Sequence, residues 1–193
     1  MRQNPPVVLA STSPRREELL KLLQIEFEVQ SSQVAEIAEA NESPRDMALR
    51  LALAKAEAVH KLRPEAIIIG ADTVVVFDGQ VLGKPSSPEH ARRILSQLSG
   101  RSHEVVTGVC VIHGNIRKVN SPHTVVDFSS LTSQEIDWYV STGEPLDKAG
   151  AYGIQGFGAR FVSRVNGCYS NVVGLPLSLL YQMLKQVGYK FDG

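Results

Sequence analysis

Short apolar runs alternate along the chain with stretches whose apolar positions recur every three or four residues, the pattern of strands interleaved with helices. Val7-Val8-Leu9-Ala10 predicts a buried strand. It breaks at Ser11-Thr12-Ser13, and Pro14 suits the first position of a helix with Ser13 as N-cap and Leu19, Leu20, Leu22 and Leu23 as its apolar side. Ser43-Pro44-Arg45-Asp46 opens a longer helix, with Asp46 placed to complete a capping box. Its predicted stripe is Met47, Leu51, Ala54, Ala58 and Leu62. Two β-like runs follow, Ala66 to Ile69 and Thr73 to Phe77, separated by Gly70-Ala71-Asp72, and Asp78-Gly79 signals a hairpin turn. Ser87-Pro88 opens a helix with Ala91, Leu95 and Leu98 inward. Val105 to Ile112 and Lys118 to Phe128 form a second strand pair, turning at Gly114-Asn115. Thr132-Ser133-Gln134-Glu135 is a further capping box, opening a helix over Leu131 to Val140. Arg160 to Val165 predicts a strand and Pro176 to Val187 a closing helix. Interspersed strands and helices make the class α/β with a mixed sheet. Two lobes around a cleft fit this order, although no composition shift marks a boundary.

Composition narrows the function classes. In 193 residues, 20 Lys and Arg balance 20 Asp and Glu, which argues against a general nucleic-acid binder. A local cluster still binds a small anion in a neutral chain. No stretch approaches the ~20 apolar residues of a membrane span. Met1-Arg2-Gln3-Asn4-Pro5-Pro6 shows no signal-peptide pattern. Cys110 and Cys168 are too few for a disulfide framework or a thiolate zinc site. These features point to the cytosol.

Candidate chemistry gathers at several places along the chain. Ser11 to Arg16 places small hydroxyl residues and two arginines at a helix N-terminus after a buried strand. There unpaired N–H groups, the helix dipole and bidentate guanidinium donors suit an anion, and an ordinary N-cap with solvated arginines is the plain alternative. Asp72 interrupts the most apolar region, where an ionised carboxylate needs a cation, a metal or several hydrogen bonds. The alternative is a turn-forming Asp between two strands. Lys55 falls among Ala48, Ala52, Val59 and Leu62 on a small-residue helix face; taken alone it reads as a snorkelling lysine. Lys84 sits between Gly83 and Pro85 in a restricted segment, and Glu36 in a loop is a second carboxylate for a metal. Finally, Gly143 to Gly158 holds five glycines in sixteen residues, explained by close approach to a ligand or by tight turning, with Gln155 placed to read a base edge. The five histidines lack ligand spacing and read as structural or surface residues.

Together, Ser11 to Arg16, Gly70-Ala71-Asp72-Thr73, Gly83-Lys84-Pro85, Glu144 to Gly156 and Val173-Gly174-Leu175-Pro176 resemble, in order, the motifs of the Maf proteins. These are nucleoside triphosphate pyrophosphatases. The resemblance covers nearly the whole chain as one domain. It implies a fold like that of the inosine triphosphate pyrophosphatases, with an elongated mixed sheet, flanking helices and two lobes around a cleft. It also implies a divalent cation (Mg²⁺ or Mn²⁺), a cytoplasmic location and, as often in the family, a homodimer, while charge balance and the lack of a long apolar run speak against nucleic-acid and membrane partners.

By position, the resemblance makes Asp72 the catalytic proton acceptor and a metal ligand beside Glu36. Ser11, Arg16, Lys55 and Lys84 handle the phosphates. Arg15, Thr73 and Gln155 match the branch that hydrolyses dTTP and UTP, and differ from the Trp, Gln and Glu of the branch acting on 7-methyl-GTP. Thr12 departs from the Gly or Ala often found there. The competing class is a nucleotide-binding regulator acting through a division-related partner, since the family is named for an effect on septum formation. Asp72 and Lys84 favour the enzyme, because a pure binder has no use for a buried base.

Overall fold

The protein is described by a computed structural model over residues 4–191; the first three residues of the segment read above for a signal peptide lie outside it. The elements run β1 (Val7–Leu9), α1 (Pro14–Lys21), β2 (Glu28–Val29), α2 (Pro44–His60), β3 (Ile67–Phe77), β4 (Gln80–Leu82) and α3 (Pro88–Leu98). They continue with β5 (Ser102–His113), β6 (Ile116–Asn120), β7 (His123–Phe128), α4 (Ser133–Ser141), β8 (Val162–Asn166), α5 (Tyr169–Val173) and α6 (Leu177–Gln186). Three 3-10 turns, at Glu144–Asp147, Ala149–Ala151 and Phe157–Phe161, lie between α4 and β8. The strands form one mixed sheet ordered β2-β1-β3-β5-β7-β8, with β4 on β3 and β6 on β5. β1 is parallel to β2 and β3, whereas β4, β6, β7 and β8 pair antiparallel to their neighbours. The α/β class with a mixed sheet is therefore observed. No helix among the described residues is long and apolar enough to cross a membrane.

The chain divides into two compact units. The first takes the chain up to Asp72, Thr107–Pro122 and everything from Gly174 onward; the second takes Thr73–Val106 and His123–Val173. In the first unit, Val8, Ala10, Ala66 and Ile68 pack with Cys110 and Ile112 against Ala52, Ala56 and Val59 of α2. The second unit has a more aromatic core, in which Phe77, Phe128, Tyr139, Tyr152 and Phe161 meet Ile94, Leu95 and Leu98 of α3.

Several expected boundaries shift, each for a physical reason. The runs Ala66 to Ile69 and Thr73 to Phe77 are one eleven-residue strand, β3, so Asp72 is not in a turn. Both faces of that strand are covered, and such strands read as nearly unbroken apolar runs. The Lys118 to Phe128 run is two strands in a single register against β5, with Val109 opposite Asn120 and Val106 opposite His123. Pro122, lacking an N–H, interrupts the ladder between them. α1 ends at Lys21, leaving Leu22 exposed, and Ser13 makes no side-chain cap bond. The short β2 and α5 carry too few residues for periodicity to show.

The buried face of α2 also differs from the predicted stripe. Ala48, Leu51, Ala52, Lys55, Ala56 and Val59 point inward, whereas Leu62 is exposed. Small residues win that face because the sheet comes close. A Cβ on Gly70 would overlap the Ala52 carbonyl oxygen and lie 2.9 Å from the Ala56 nitrogen, and one on Gly108 would overlap the Ala48 carbonyl. Two glycines thus let α2 lie against β3 and β5. Gly70→Ala is expected to destabilise the protein by about 1–3 kcal/mol, because helix backbone cannot move aside as a flexible side chain can. Urea denaturation measures this, and an unchanged midpoint would show that the helix shifts freely.

Candidate active site

The close approach of α2 to β3 sets the central ion pair. Period-two alternation puts Ile68, Gly70 and Asp72 on the strand face that meets α2, where Lys55 follows Leu51 by one turn. Lys55 and Asp72 are both buried, each about 5% exposed. Lys55 Nζ donates to Asp72 Oδ1 at 2.6 Å and to Glu36 Oε1 at 2.5 Å. The snorkelling reading of Lys55 is therefore wrong: its ammonium is turned inward and shared by two carboxylates. Glu36 itself is half exposed, in the loop before α2. Arg50 secures that loop, its Nε and Nη2 donating to Glu42 at 2.6 and 2.7 Å and Nη2 also to the Ile37 carbonyl at 2.9 Å.

Burial pushes the Asp72 carboxyl above the ordinary aspartate range; Lys55 and Arg16 oppose this and the Glu36 charge reinforces it. Arg16 thus belongs to the same electrostatic cluster. Burial lowers the Arg16 guanidinium, the Asp72 and Glu36 charges oppose that, and neighbouring Arg15 adds to it. Arg16 is fixed by its own chain: Nε donates to the Gly174 carbonyl at 2.8 Å and Nη1 to Ser11 Oγ at 3.2 Å. Ser11 Oγ also accepts the Ser13 N–H at 3.2 Å, so Ser11 organises the turn from β1 into α1. Ser11, Arg16, Glu36, Lys55 and Asp72 are therefore assembled in the first unit, with Arg15 adjoining.

Thr73, Lys84 and Gln155 belong to the second unit. Thr73 is half-buried on β3; Lys84 and Gln155 are exposed. The Gly83 carbonyl ahead of Lys84 accepts the Gly150 N–H at 3.2 Å, which ties the Lys84 segment to the glycine-rich stretch. Gly150 adopts φ 69°, and a Cβ there would lie 2.9 Å from Val75 Cγ1, so both conformation and space call for glycine.

Sequence reasoning missed two residues of consequence. Arg50 carries no sequence signal, because its partners lie in an irregular loop. Glu144 was legible only as one member of the glycine-rich stretch, yet its carboxylate accepts the Phe157 and Gly158 N–H groups at 2.8 and 3.1 Å. Two of the five histidines make structural contacts. His103 is buried against Tyr152 and Phe128, and His113 bonds the Val187 carbonyl at 2.9 Å.

A divalent cation can be weighed against this donor set. Asp72 and Glu36 supply hard carboxylate oxygens that converge on one cationic centre, now the Lys55 ammonium. Mg²⁺ and Mn²⁺ prefer such oxygens, and Mg²⁺ is commonly held by one or two carboxylates with substrate phosphates completing its shell. Among the described residues no group of three or more His, Cys, Asp or Glu side chains converges. The residues thus fit an ion that arrives with a phosphate ligand, and do not form a complete protein cage.

Known proteins resemble this chain over nearly all of its length. The profile of the family described as Maf-like protein matches residues 6–187. A dTTP/UTP pyrophosphatase of Symbiobacterium thermophilum is 52% identical over 183 residues, covering 95% of this chain and 94% of its own. One of Desulforamulus reducens is 49% identical over 185 residues, covering 95% and 97%. Among solved structures, the Ham1 protein of Staphylococcus aureus superposes with TM-score 0.51 at 16% identity, covering 94% of this chain and 98% of that one. At that identity the likeness speaks for the fold alone.

Proposed function

The chain belongs to the Maf-like protein family, and on that premise we propose that it hydrolyses the α–β phosphoanhydride bond of dTTP and UTP to the monophosphate and pyrophosphate. The observation that carries this reading is the buried Asp72, paired to the Lys55 ammonium that also holds Glu36 and acted on by the Arg16 charge. A carboxyl pushed up by burial, among cations that attract phosphate, combines a base with charge stabilisation. Phosphoryl transfer asks for little more than positioning and electrostatics.

Each residue then has a task. Arg16, oriented by Gly174 and Ser11, and Lys55 bind phosphate oxygens, and Lys84 adds a third cation as charge shifts to the leaving group. Asp72 takes the proton of the attacking water as the water oxygen bonds to the α-phosphorus. The bond from that phosphorus to the bridging oxygen breaks and pyrophosphate leaves. A divalent ion, when bound, would be held by Asp72 and Glu36 and would neutralise triphosphate charge. Gln155 reads the base, its amide donating to O4 and accepting from N3–H of uracil or thymine. Arg15 and Thr73, with Gln155, are the residue types that the resemblance gives for the branch hydrolysing dTTP and UTP.

Pyrophosphate release across a panel of nucleoside triphosphates, with Mg²⁺, Mn²⁺ or EDTA, tests the reading. The expected result is turnover of dTTP and UTP that EDTA abolishes. Preference for a purine triphosphate, or full activity in EDTA, would overturn it.

A further inference from the structure

The stretch that carries Gln155 is held by side chains of its own unit. Tyr139, fully buried on α4, donates its hydroxyl to Glu144 Oε1 at 2.7 Å and accepts the Gly153 N–H at 3.0 Å. Glu144 Oε2 accepts the Phe157 N–H at 2.8 Å, and Oε1 accepts the Gly158 N–H at 3.1 Å. Both ends of the 153–158 segment are thus tied to one hydroxyl–carboxylate pair, and Ile154, Gln155 and Gly156 lie between the ties. Tyr152, just before it, is anchored by His103 at 2.8 Å and by its ring against Phe128, centroids 4.7 Å apart.

The glycines agree with this arrangement. A Cβ on Gly156 would overlap the Glu144 carboxylate, one on Gly158 would come 2.6 Å from the Tyr139 hydroxyl, and one on Gly153 would come 2.8 Å from Lys148 Cε. The spacing that suggested a ligand therefore fits the loop onto its own support. Burial favours the neutral acid at Glu144, but the bonds from Tyr139, Phe157 and Gly158 win and hold it below the usual range. As a carboxylate it only accepts, which suits the three donors around it.

We propose that Tyr139 and Glu144 are positioning residues for base choice: they fix the backbone from which Gln155 reaches the pyrimidine, so that its amide meets O4 and N3–H at hydrogen-bonding distance. A displaced loop would lose the contacts to uracil, and with them the preference over cytosine, whose donor and acceptor are exchanged. The inference rests on the reading that Gln155 faces the base.

Steady-state kinetics with UTP and CTP on the wild type, Tyr139→Phe, Glu144→Gln and Gln155→Ala test it. Tyr139→Phe keeps the buried ring and removes one hydroxyl, and Glu144→Gln keeps the size while turning an amide NH₂ toward backbone donors. In both, the UTP-to-CTP ratio of kcat/KM is expected to fall by about fivefold or more, the scale of one lost hydrogen bond. The loss should come through KM for UTP with kcat kept. The Gly153, Phe157 and Gly158 amides should exchange hydrogen faster while those of α3 stay protected. Adding Gln155→Ala to Tyr139→Phe should cost less discrimination than Gln155→Ala costs alone. If Gln155→Ala collapses the ratio while both cradle variants keep it, or slow both nucleotides equally, the positioning role is overturned and base reading by Gln155 stands. If Gln155→Ala itself keeps the ratio, both fall.

Discussion

Asp72→Asn is expected to leave a folded protein whose hydrolysis of dTTP and UTP drops by about 100-fold or more, the scale of losing a general base. Asparagine keeps the shape of the side chain on β3 and removes its charge and its proton affinity. Lys55 keeps an acceptor in the amide oxygen and an ionic partner in Glu36. Breaking a buried pair weakens the fold, so rates should be compared well below the thermal transition of the variant. Turnover within a few-fold of wild type, with unchanged metal dependence, would make the Asp72–Lys55 pair a structural bridge only.

A second large effect concerns stability against pH. Burial pushes His103 down to about 4 from an ordinary 6.5, with Asp127 opposing weakly. Its Nε2 meets the Tyr152 hydroxyl at 2.8 Å, and among the described residues its buried Nδ1 has no partner. The folded state therefore holds the imidazole neutral, while the unfolded chain takes up a proton below about pH 6.5. Stability contributed by the neutral ring is complete above that value and is lost as pH falls toward 4, by up to roughly 3 kcal/mol. Urea denaturation of wild type and His103→Gln from pH 7 to 4.5 isolates it. The wild type should lose more stability than the variant over that window, and equal losses would show that His103 titrates normally.

The parts of the fold legible in the sequence are those with local causes. The Thr132/Glu135 capping box forms as expected, and Ser43 and Ser87 cap their helices, because a hydroxyl and an N–H three residues on need no distant partner; at Ser43 the box is only half made, since the Asp46 carboxylate accepts from the Ser43 hydroxyl at 2.7 Å. The Asp78-Gly79 turn likewise has both residues at positive φ, 49° and 77°. The buried face of α2 departs from the predicted stripe because hydrophobicity predicts burial only where space allows. Gly70 and Gly108 come so near that alanines fill the face and Leu62 stays outside.

The site divides in the same way. Asp72 stood out as a charge in an apolar run, and burial beside Lys55 explains why it is tolerated. Lys55 looked ordinary because nothing in a single sequence says that a helix face nineteen residues from Glu36 and seventeen from Asp72 turns toward both. The Gly143 to Gly158 stretch shows that glycine is needed without showing why, since the fold brings up the neighbours: Val75 at Gly150, Lys148 at Gly153, Glu144 at Gly156 and Tyr139 at Gly158.

The most direct test of the central claim is hydrolysis of UTP in ¹⁸O-enriched water, followed by mass analysis of the products. Attack at the α-phosphorus predicts one label in the monophosphate and none in pyrophosphate. Label in pyrophosphate, or release of labelled orthophosphate, would contradict it.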